Sequence, residues 1–282
     1  MSRGSLVGIG RRGRRSAEGL PRAAAGPVTA SGPHAGRSYP RTWTIACGGR
    51  RRTAGGQAAP DRPRGPPTTV TATTDLESDD AMLEMLPGLV RIYEEWAERY
   101  PDVQPLTVQF AADGESGAVL DGVLAYPLDG HWLLVSFGLT ELGEKTSGEA
   151  RVSGAGFEFT CRVPREDGDE AVPAWALRVL HALADRFLAG SDLDVGHWIV
   201  TPAPLGGEPA NGDMTSLVIV PDVEIRAMDT PNGIVLFFQL VGLKAEEGAD
   251  VQKAGTAAPL VALLRDRDPK MLSDPSRDTV RI

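Results

Sequence analysis

Short apolar segments separated by Asp-Gly pairs constrain the fold of this 282-residue chain more than any other feature of its sequence. Three segments of strand length and three Asp-Gly pairs occur between residues 106 and 138: LTVQFA (106–111), GVLAYPL (122–128) and HWLLVSFG (131–138), with the pairs at 113–114, 121–122 and 129–130. Asp-Gly favours tight turns because both residues tolerate positive φ. The pattern predicts antiparallel strands, of which the second and third form a hairpin.

A fourth segment, GFEFTCRV (156–163), alternates strictly between apolar and polar side chains. One face of such a strand would carry Phe157, Phe159, Cys161 and Val163, and the other would carry Glu158, Thr160 and Arg162. Alternation of this kind is typical of a half-buried strand in an antiparallel sheet. The polar face is therefore predicted to meet solvent.

Three further strands are predicted in the last third of the chain. TSLVIVPD (215–222) has strand length, and Pro-Asn-Gly at 231–233 indicates a hairpin turn between two apolar runs. The run that follows, IVLFFQLVG, is apolar on both faces, which predicts a central strand covered on both sides.

Helical periodicity appears in three places. One helix begins at Pro87, ends before Pro101 and has an apolar face of Leu89, Tyr93, Trp96 and Tyr100; a second spans 173–188 and a third spans 258–268, followed by a tail at 269–282. Many strands with few crossover helices favour an α+β fold. We predict a mixed, largely antiparallel β-sheet flanked by helices, in one globular domain.

Charge divides the chain into two unlike parts. Residues 1–72 contain 13 Arg, no Lys and two acidic residues, a net charge of +11, whereas the remainder has 16 basic and 36 acidic residues, a net charge of −20. The first part is rich in Gly, Ala, Pro and Arg and has no apolar period, which predicts disorder over 1–75 before a domain over 76–282. An acidic domain disfavours nucleic acid and anionic membranes as partners of 76–282.

The basic segment has three open interpretations: a nucleic-acid-binding tail, a sequence similar to organellar transit peptides, or upstream sequence translated from a start codon placed too early. On the third hypothesis the native chain begins near Val70 or Met82, and mass spectrometry of the native N-terminus would test it. We find no pattern of a signal peptide or a membrane span, so the sequence predicts a cytoplasmic protein.

Known catalytic motifs are missing from the sequence: it has no Gly-x-Ser-x-Gly, no phosphate-binding loop, no Gly-x-Gly-x-x-Gly after a strand and no His-Glu-x-x-His. Cys161 shares its predicted face with phenylalanines, which favours a core cysteine over a nucleophile. His131, His181 and His197 lack the spacing of metal ligands. We therefore expect neither a cofactor nor a metal.

Ser136 and Glu141 flank the polar turn that ends HWLLVSFGLTEL (131–142). Ser136 alternates with apolar residues, which favours a hydrogen-bonded core or interface hydroxyl. A carboxylate just beyond a strand can accept backbone N–H bonds, so Glu141 is predicted to lock the turn rather than act as a general base.

Acidic runs at 165–170 (REDGDE) and 244–251 (KAEEGADV) are interpreted as solvated loops, with electrostatic capture of a basic partner as the alternative. Candidate protein-binding residues are Glu141, Glu144, Glu166, Asp167, Asp169 and Glu170.

These strands and turns resemble the Suppressor of fused family in its bacterial members. The stretches that carry the resemblance occur in family order: 131–142, 153–163, 173–188, DVGHWIV (194–200), 217–243 and PKMLSDPSRDTV (269–280). The resemblance implies a mixed α/β domain without catalytic activity. In animal members two lobes hold Gli-type transcription factors in the cytoplasm, and only the motifs of the first lobe are present here.

Bacterial relatives are similar to immunity proteins, which occlude a toxin by protein–protein contact. The leading hypothesis is therefore a non-enzymatic protein-binding domain whose partner is a protein such as a toxin domain. The competing hypothesis is a hydrolase or metal-dependent enzyme that uses His131, Glu141 and His197.

Overall fold

The computed structural model describes residues 86–110, 120–201 and 203–282, together with the backbone of 71–73. Most of the segment 1–75 and the Asp-Gly pair at 113–114 lie outside these residues. The predicted disorder and the predicted domain boundary at residue 76 therefore stay predictions.

The described residues form one sheet of nine strands. The strands are β1 (Thr71–Thr73), β2 (Leu106–Gln109), β3 (Gly122–Leu128), β4 (His131–Phe137), β5 (Val152–Pro164), β6 (Trp198–Val200), β7 (Met214–Pro221), β8 (Ala227–Thr230) and β9 (Gly233–Lys244). Their order is β1-β2-β3-β4-β5-β9-β7-β6, and β8 also pairs with β9. The β5–β9 pair is parallel and the other described pairs are antiparallel, which confirms the predicted fold class.

Both predicted hairpins are present. Strands β3 and β4 pair from Gly122↔Phe137 to Leu128↔His131 around the turn at Asp129 and Gly130, where Gly130 has φ +70°. Strands β8 and β9 pair around Pro231 and Asn232. These turns were predictable because their residue types determine the local backbone conformation.

Four helices flank the sheet in the described part of the chain: α1 (Pro87–Arg99), α2 (Ala174–Leu188), α3 (Ala245–Ala254) and α4 (Ala258–Arg267). None of them is long and apolar enough to cross a membrane. Helix α1 ends before Pro101 as predicted, and its buried stripe contains Leu89, Ile92 and Trp96, with Tyr93 and Tyr100 partly buried beside it.

Helix α2 covers one face of the sheet. Its Leu177, Leu180 and Leu183 pack in one apolar cluster with Phe159 and Cys161 of β5 and with inward side chains of β3, β4, β7 and β9. The apolar face predicted for β5 is thus confirmed as part of the main core.

The opposite face carries two apolar clusters. Helix α1 packs over β3, β4 and the first half of β9, whereas α3, α4 and the C-terminal segment 268–282 pack over β7 and the second half of β9. Between the clusters lies a row of buried polar residues, which we call the polar seam: Glu158, Thr160, Arg162, Asp222 and Gln239.

Three sequence interpretations are wrong for one shared reason. The polar face of β5 is fully buried, residues 245–251 belong to α3 rather than to a solvated loop, and the predicted tail at 269–282 is packed through Met271 and Val280. In each case the segment packs against elements that are distant in sequence, and local periodicity carries no information about those contacts.

Candidate functional site

The turn that ends β4 is organised by Glu158, a carboxylate fully buried on β5. Its Oε1 accepts the backbone N–H groups of Gly138, Leu139 and Thr140 at 2.8–3.1 Å and the Thr140 hydroxyl at 2.8 Å. Burial raises the pKa of Glu158, and these hydrogen bonds oppose the rise. Glu158 on β5 therefore fixes the backbone that follows the end of β4.

Ser136 completes this arrangement. Its hydroxyl donates to Glu158 Oε2 at 2.6 Å and accepts the backbone N–H of Phe159 at 2.8 Å. The predicted role of Ser136 as a hydrogen-bonded core hydroxyl is confirmed.

Glu141 fixes the next turn, which spans residues 141–154. Its carboxylate accepts the backbone N–H groups of Thr146, Ser147 and Gly154 and pairs with Lys145 Nζ at 2.9 Å. Burial raises the pKa of Glu141, but these donors outweigh burial and hold it well below its usual range. The predicted turn-locking role is confirmed, while a role of Glu141 in binding a partner stays a prediction.

Two other elements hold the same turn. Asn232 Nδ2 donates at 2.7 Å to the carbonyls of both Glu141 and Gly143, and the backbone N–H of Gly88 donates to the Leu142 carbonyl at 2.7 Å. A Cβ on Gly88 would lie 2.5 Å from the Glu141 carbonyl oxygen, so this close approach of α1 requires glycine. The turn FGLTEL is a structural junction.

An ion pair occupies the other end of the polar seam. Arg162 Nη1 donates to Asp222 Oδ2 at 2.6 Å and Nη2 donates to Oδ1 at 3.3 Å, with both side chains fully shielded from solvent. Asp222 follows β7 and accepts further hydrogen bonds from the Thr160 hydroxyl and from the backbone N–H groups of Glu224 and Ile225. Asp222 therefore also fixes the start of the segment 222–226 that connects β7 to β8.

Glu224 extends this network toward the surface. Its carboxylate accepts from Arg162 Nη2 at 2.7 Å, from the Tyr100 hydroxyl at 2.5 Å and from Lys270 Nζ. Burial raises the pKa of Glu224, but the Lys270 and Tyr100 hydrogen bonds and the charge of Arg162 lower it to about 2. The network joins α1, the sheet and the C-terminal segment.

The C-terminal segment enters the sheet where β5 and β9 part. Their last register pair is Cys161↔Leu240; beyond it Ser273 donates its backbone N–H to the Arg162 carbonyl at 2.8 Å and accepts the Gly242 N–H on its hydroxyl at 2.8 Å. Ser273 thus satisfies backbone groups that have no strand partner at this point.

The residues of the enzyme hypothesis do not converge. His131 begins β4 and Glu141 lies beyond its other end, about 20 Å away along a seven-residue strand at about 3.3 Å per residue. His197 precedes β6, four strands away from β4 in the sheet order. No group of three His, Cys, Asp or Glu that could hold a metal ion occurs among the described residues.

Cys161 is a core residue, as its neighbours in the sequence predict. Its side chain is buried in the α2 cluster, and burial raises the pKa of the thiol to about 12. Its thiol lies 4.0 Å from the Ser273 hydroxyl. The structure therefore gives Cys161 the environment of an unreactive thiol.

The acidic loop at 165–170 borders a groove of about 520 Å³ on the surface. Glu166 and Asp169 form part of one wall, and Trp175 at the start of α2 forms another. The lining also includes Ala210 and Asn211 of a 3₁₀ turn, and Asp274 and Pro275 of the C-terminal segment. Glu166, Asp167, Asp169 and Glu170 are all exposed, and so is Glu144 at the FGLTEL junction.

Sequence reasoning missed the ion network and the groove. Asp222 and Glu224 directly follow an apolar strand, and Lys270 lies in the presumed tail. Opposite charges beside buried strands are a weak signal of pairing, but the sequence alone does not indicate which partners meet.

Comparison with known proteins identifies the family. The family model for Suppressor of fused protein (SUFU) matches residues 118–278, more than half of the chain. The chain belongs to the Suppressor of fused family. The Suppressor of fused homologs of Homo sapiens and Mus musculus are each 32% identical to it over 178 residues, which cover 57% of this chain and 36% of the relative.

Solved structures share the fold. The crystal structure of Drosophila Suppressor of Fused superposes with a TM-score of 0.60 at 25% identity, covering 70% of this chain and 51% of that chain. A chain of the Sufu–Fu complex crystal structure superposes with a TM-score of 0.58 at 26% identity, covering 68% of this chain and 91% of that chain. The match thus spans well under half of the mammalian relatives but nearly all of the chain in the complex.

Proposed function

We propose that this chain is a non-enzymatic protein-binding domain. The observation that carries the proposal is its likeness to a chain of the Sufu–Fu complex over 91% of that chain's length. The chain in that complex has little more than the part that matches this protein. A domain of this size can therefore present a binding surface without the rest of the sequence found in the mammalian relatives. Binding of a protein partner by this single domain is the function that best fits the family.

The distribution of polar groups supports the same function. Ser136, Glu141, Glu158, Arg162 and Asp222 are each committed to hydrogen bonds within the fold. Side chains that satisfy one another in the interior stabilise one conformation and are not exposed to a substrate. Recognition then depends on the surface.

We assign the partner-binding surface to the exposed acids of the β5–α2 loop, Glu166, Asp167, Asp169 and Glu170. The excess of 36 acidic over 16 basic residues after position 72 favours a basic partner, because complementary charge speeds association and selects partners. A basic toxin domain in the cytoplasm, neutralised by direct contact as the resemblance to bacterial immunity proteins implies, is the specific partner that we propose.

Binding is tested with the purified full chain, using the Fu protein named in the Sufu–Fu complex and any toxin domain that the gene's neighbours encode as separate partners. Light scattering after gel filtration gives the stoichiometry, and titration calorimetry gives the affinity. A one-to-one complex with either partner supports the proposed function. The absence of a complex with both partners would contradict it.

A matched pair of variants tests the surface. One variant neutralises the loop (Glu166→Gln, Asp167→Asn, Asp169→Asn, Glu170→Gln), and the control neutralises four exposed acids elsewhere (Glu98→Gln, Asp192→Asn, Asp229→Asn, Asp266→Asn). Both change the net charge equally. We expect the loop variant to weaken binding at least about tenfold and the control by less than about threefold; equal losses would refute the assignment of the loop.

A further inference from the structure

We propose that the groove beside the β5–α2 loop binds an arginine side chain presented by an extended segment of the partner protein. This inference rests on the proposed protein-binding function and specifies the chemistry of its partner. The groove volume of about 520 Å³ lies within the range of about 300–1,000 Å³ that is usual for binding clefts. It can accommodate one long side chain and the backbone that carries it.

The charges in the groove select a cation. Glu166, Asp169, Glu208 and Asp274 all contribute to the lining, and the lining contains no Lys or Arg. Among the described residues only Glu208 of these four forms an ion pair, with Arg178. Glu166, Asp169 and Asp274 therefore line the groove without a basic partner in the described part of the chain. One oxygen of Asp169 accepts the Glu166 N–H and one oxygen of Asp274 accepts from Ser276, which leaves the second oxygen of each for a ligand.

Two arginines next to lining residues in the sequence or in space have other contacts and are not part of the lining. The Arg165 guanidinium lies 5.2 Å from the centre of the Trp132 ring, and its Nε donates to the Asp169 carbonyl. Arg178 Nε donates to the Gly206 carbonyl at 2.8 Å while its terminal nitrogen pairs with Glu208. Neither guanidinium forms an ion pair with Glu166, Asp169 or Asp274, so these charges are available to a cation on a partner.

The walls between these carboxylates are apolar. Trp175 is partly exposed, and Pro173 and Pro275 lie beside it in the lining. A guanidinium plane stacks on an indole and forms paired hydrogen bonds with carboxylates, whereas a lysine ammonium is a strongly hydrated point charge. Aromatic and proline surfaces also suit an extended backbone. The combination therefore favours arginine over lysine.

The turns at 205–211, which contribute Glu208, Ala210 and Asn211 to the lining, pack closely against the start of α2. Gly206 has φ +64°, and a Cβ at this position would lie 2.6 Å from Trp175 Cβ, so only glycine lets this turn pack against the start of α2. Buried Asn211 donates through Nδ2 to the Leu205 carbonyl at 2.5 Å. A rigid groove loses little conformational entropy when a ligand binds.

The test uses the full chain and three blocked peptides, acetyl-Gly-Ala-Pro-X-Pro-Ala-Gly-amide, in which X is arginine, lysine or citrulline. Citrulline has the shape of arginine without its charge. Calorimetry measures affinity, and the indole N–H signals in ¹⁵N NMR spectra, with Trp175→Phe used for assignment, locate the site. We expect the arginine peptide to bind and to shift the Trp175 signal, with citrulline at least about tenfold weaker and lysine about threefold weaker.

Matched loop variants separate the groove from general attraction. Glu166→Gln with Asp169→Asn removes two charges that line the groove, and Asp167→Asn with Glu170→Gln removes two charges from the same loop outside the lining. The first variant should weaken binding of the arginine peptide at least about tenfold and the second less than about threefold. Equal losses, equal affinity for citrulline or an unshifted Trp175 signal would each overturn the proposal.

Failure of the groove and failure of the proposed function have different signatures. If the chain binds a protein partner but not the arginine peptide, the groove assignment is wrong and protein binding stands. If the peptide binds in the groove but neither purified protein forms a complex, the arginine specificity stands and the proposed function is contradicted.

Discussion

Arg162 and Asp222 form a two-point ion pair in the interior of the fold, with Nη–Oδ distances of 2.6 and 3.3 Å and no exposure of either side chain. The pair lies in the polar seam between the α1 cluster and the α3–α4 cluster. A charge in such a position is stabilising only while its partner is present, because burial removes the compensating water.

The first prediction concerns the loss of one partner. Asp222→Asn preserves the side-chain volume but leaves the Arg162 charge without its closest anion, so we expect the free energy of unfolding to fall by about 3–5 kcal/mol. Guanidinium denaturation followed by circular dichroism measures the change. Glu95→Gln removes a partly exposed partner of Arg91 and should cost less than about 1 kcal/mol. A loss below that of Glu95→Gln would contradict the prediction.

Glu158 leads to a second prediction about stability. Glu158→Gln replaces a carboxylate that accepts five hydrogen bonds with an amide whose nitrogen cannot accept. We expect a loss of about 3 kcal/mol, because the four hydrogen bonds from the turn then end on a neutral amide oxygen and the Ser136 hydroxyl loses the oxygen that accepts it. Thr140→Val removes only one of the five donors and should cost about 1 kcal/mol. Urea denaturation of both variants measures the order, and a greater loss for Thr140→Val would be inconsistent with this role.

The success and failure of the sequence predictions have a physical pattern. The β3–β4 turn and the helix start at Pro87 were predictable because the residues that determine them are neighbours in the chain. Glu141 was predictable for the same reason, since three of its donors lie within six residues. Local chemistry determines these features wherever the rest of the chain lies.

The polar face of β5 was not predictable in this way. Arg162 is buried because two segments that are distant from it in sequence meet at its partner Glu224. Tyr100 directly follows α1, which ends 63 residues before Arg162, and Lys270 lies in the C-terminal segment. The groove likewise combines a loop, a 3₁₀ turn and the C-terminal segment. Alternation in a strand identifies two faces, but the tertiary fold determines whether the polar face meets water.

The third prediction concerns acid stability through Glu224. Its folded pKa of about 2 lies below its ordinary value of 4.5, so the unfolded chain binds a proton at this position first as the pH falls. The contribution of Glu224 is therefore fully present above about pH 4.5 and is lost as the pH falls toward 2.

Between pH 5 and about pH 2.5, the free energy of unfolding should decrease less in Glu224→Gln than in the wild-type chain. Urea denaturation at intervals of pH measures the two curves. Glu98→Gln is the control, because Glu98 is exposed and has no ion pair among the described residues. Parallel curves for Glu224→Gln and wild type would show that the network does not lower this pKa.

The fourth prediction concerns the reactivity of Cys161. In a Cys47→Ser background the single remaining thiol is buried and has a pKa of about 12, so little thiolate is present at pH 8. Ellman's reagent should react with the native chain at least about a hundredfold more slowly than with the chain in guanidinium. A native rate equal to the denatured rate would show an accessible thiol and would reopen the possibility of a nucleophile.

The fifth prediction tests the attachment of the C-terminal segment through Ser273. Ser273→Ala removes the hydroxyl that accepts the buried Gly242 N–H, and an unsatisfied buried donor costs about 1–3 kcal/mol. Ser276→Ala is a matched control in the same segment, because Ser276 is exposed and its hydroxyl donates to Asp274 in the same turn, so that its loss should change stability by less than about 0.5 kcal/mol. Hydrogen exchange should also become faster at the Gly242 amide in Ser273→Ala alone. If both variants have the stability and exchange rates of wild type, the segment packs through Met271 and Val280 rather than through this hydrogen bond.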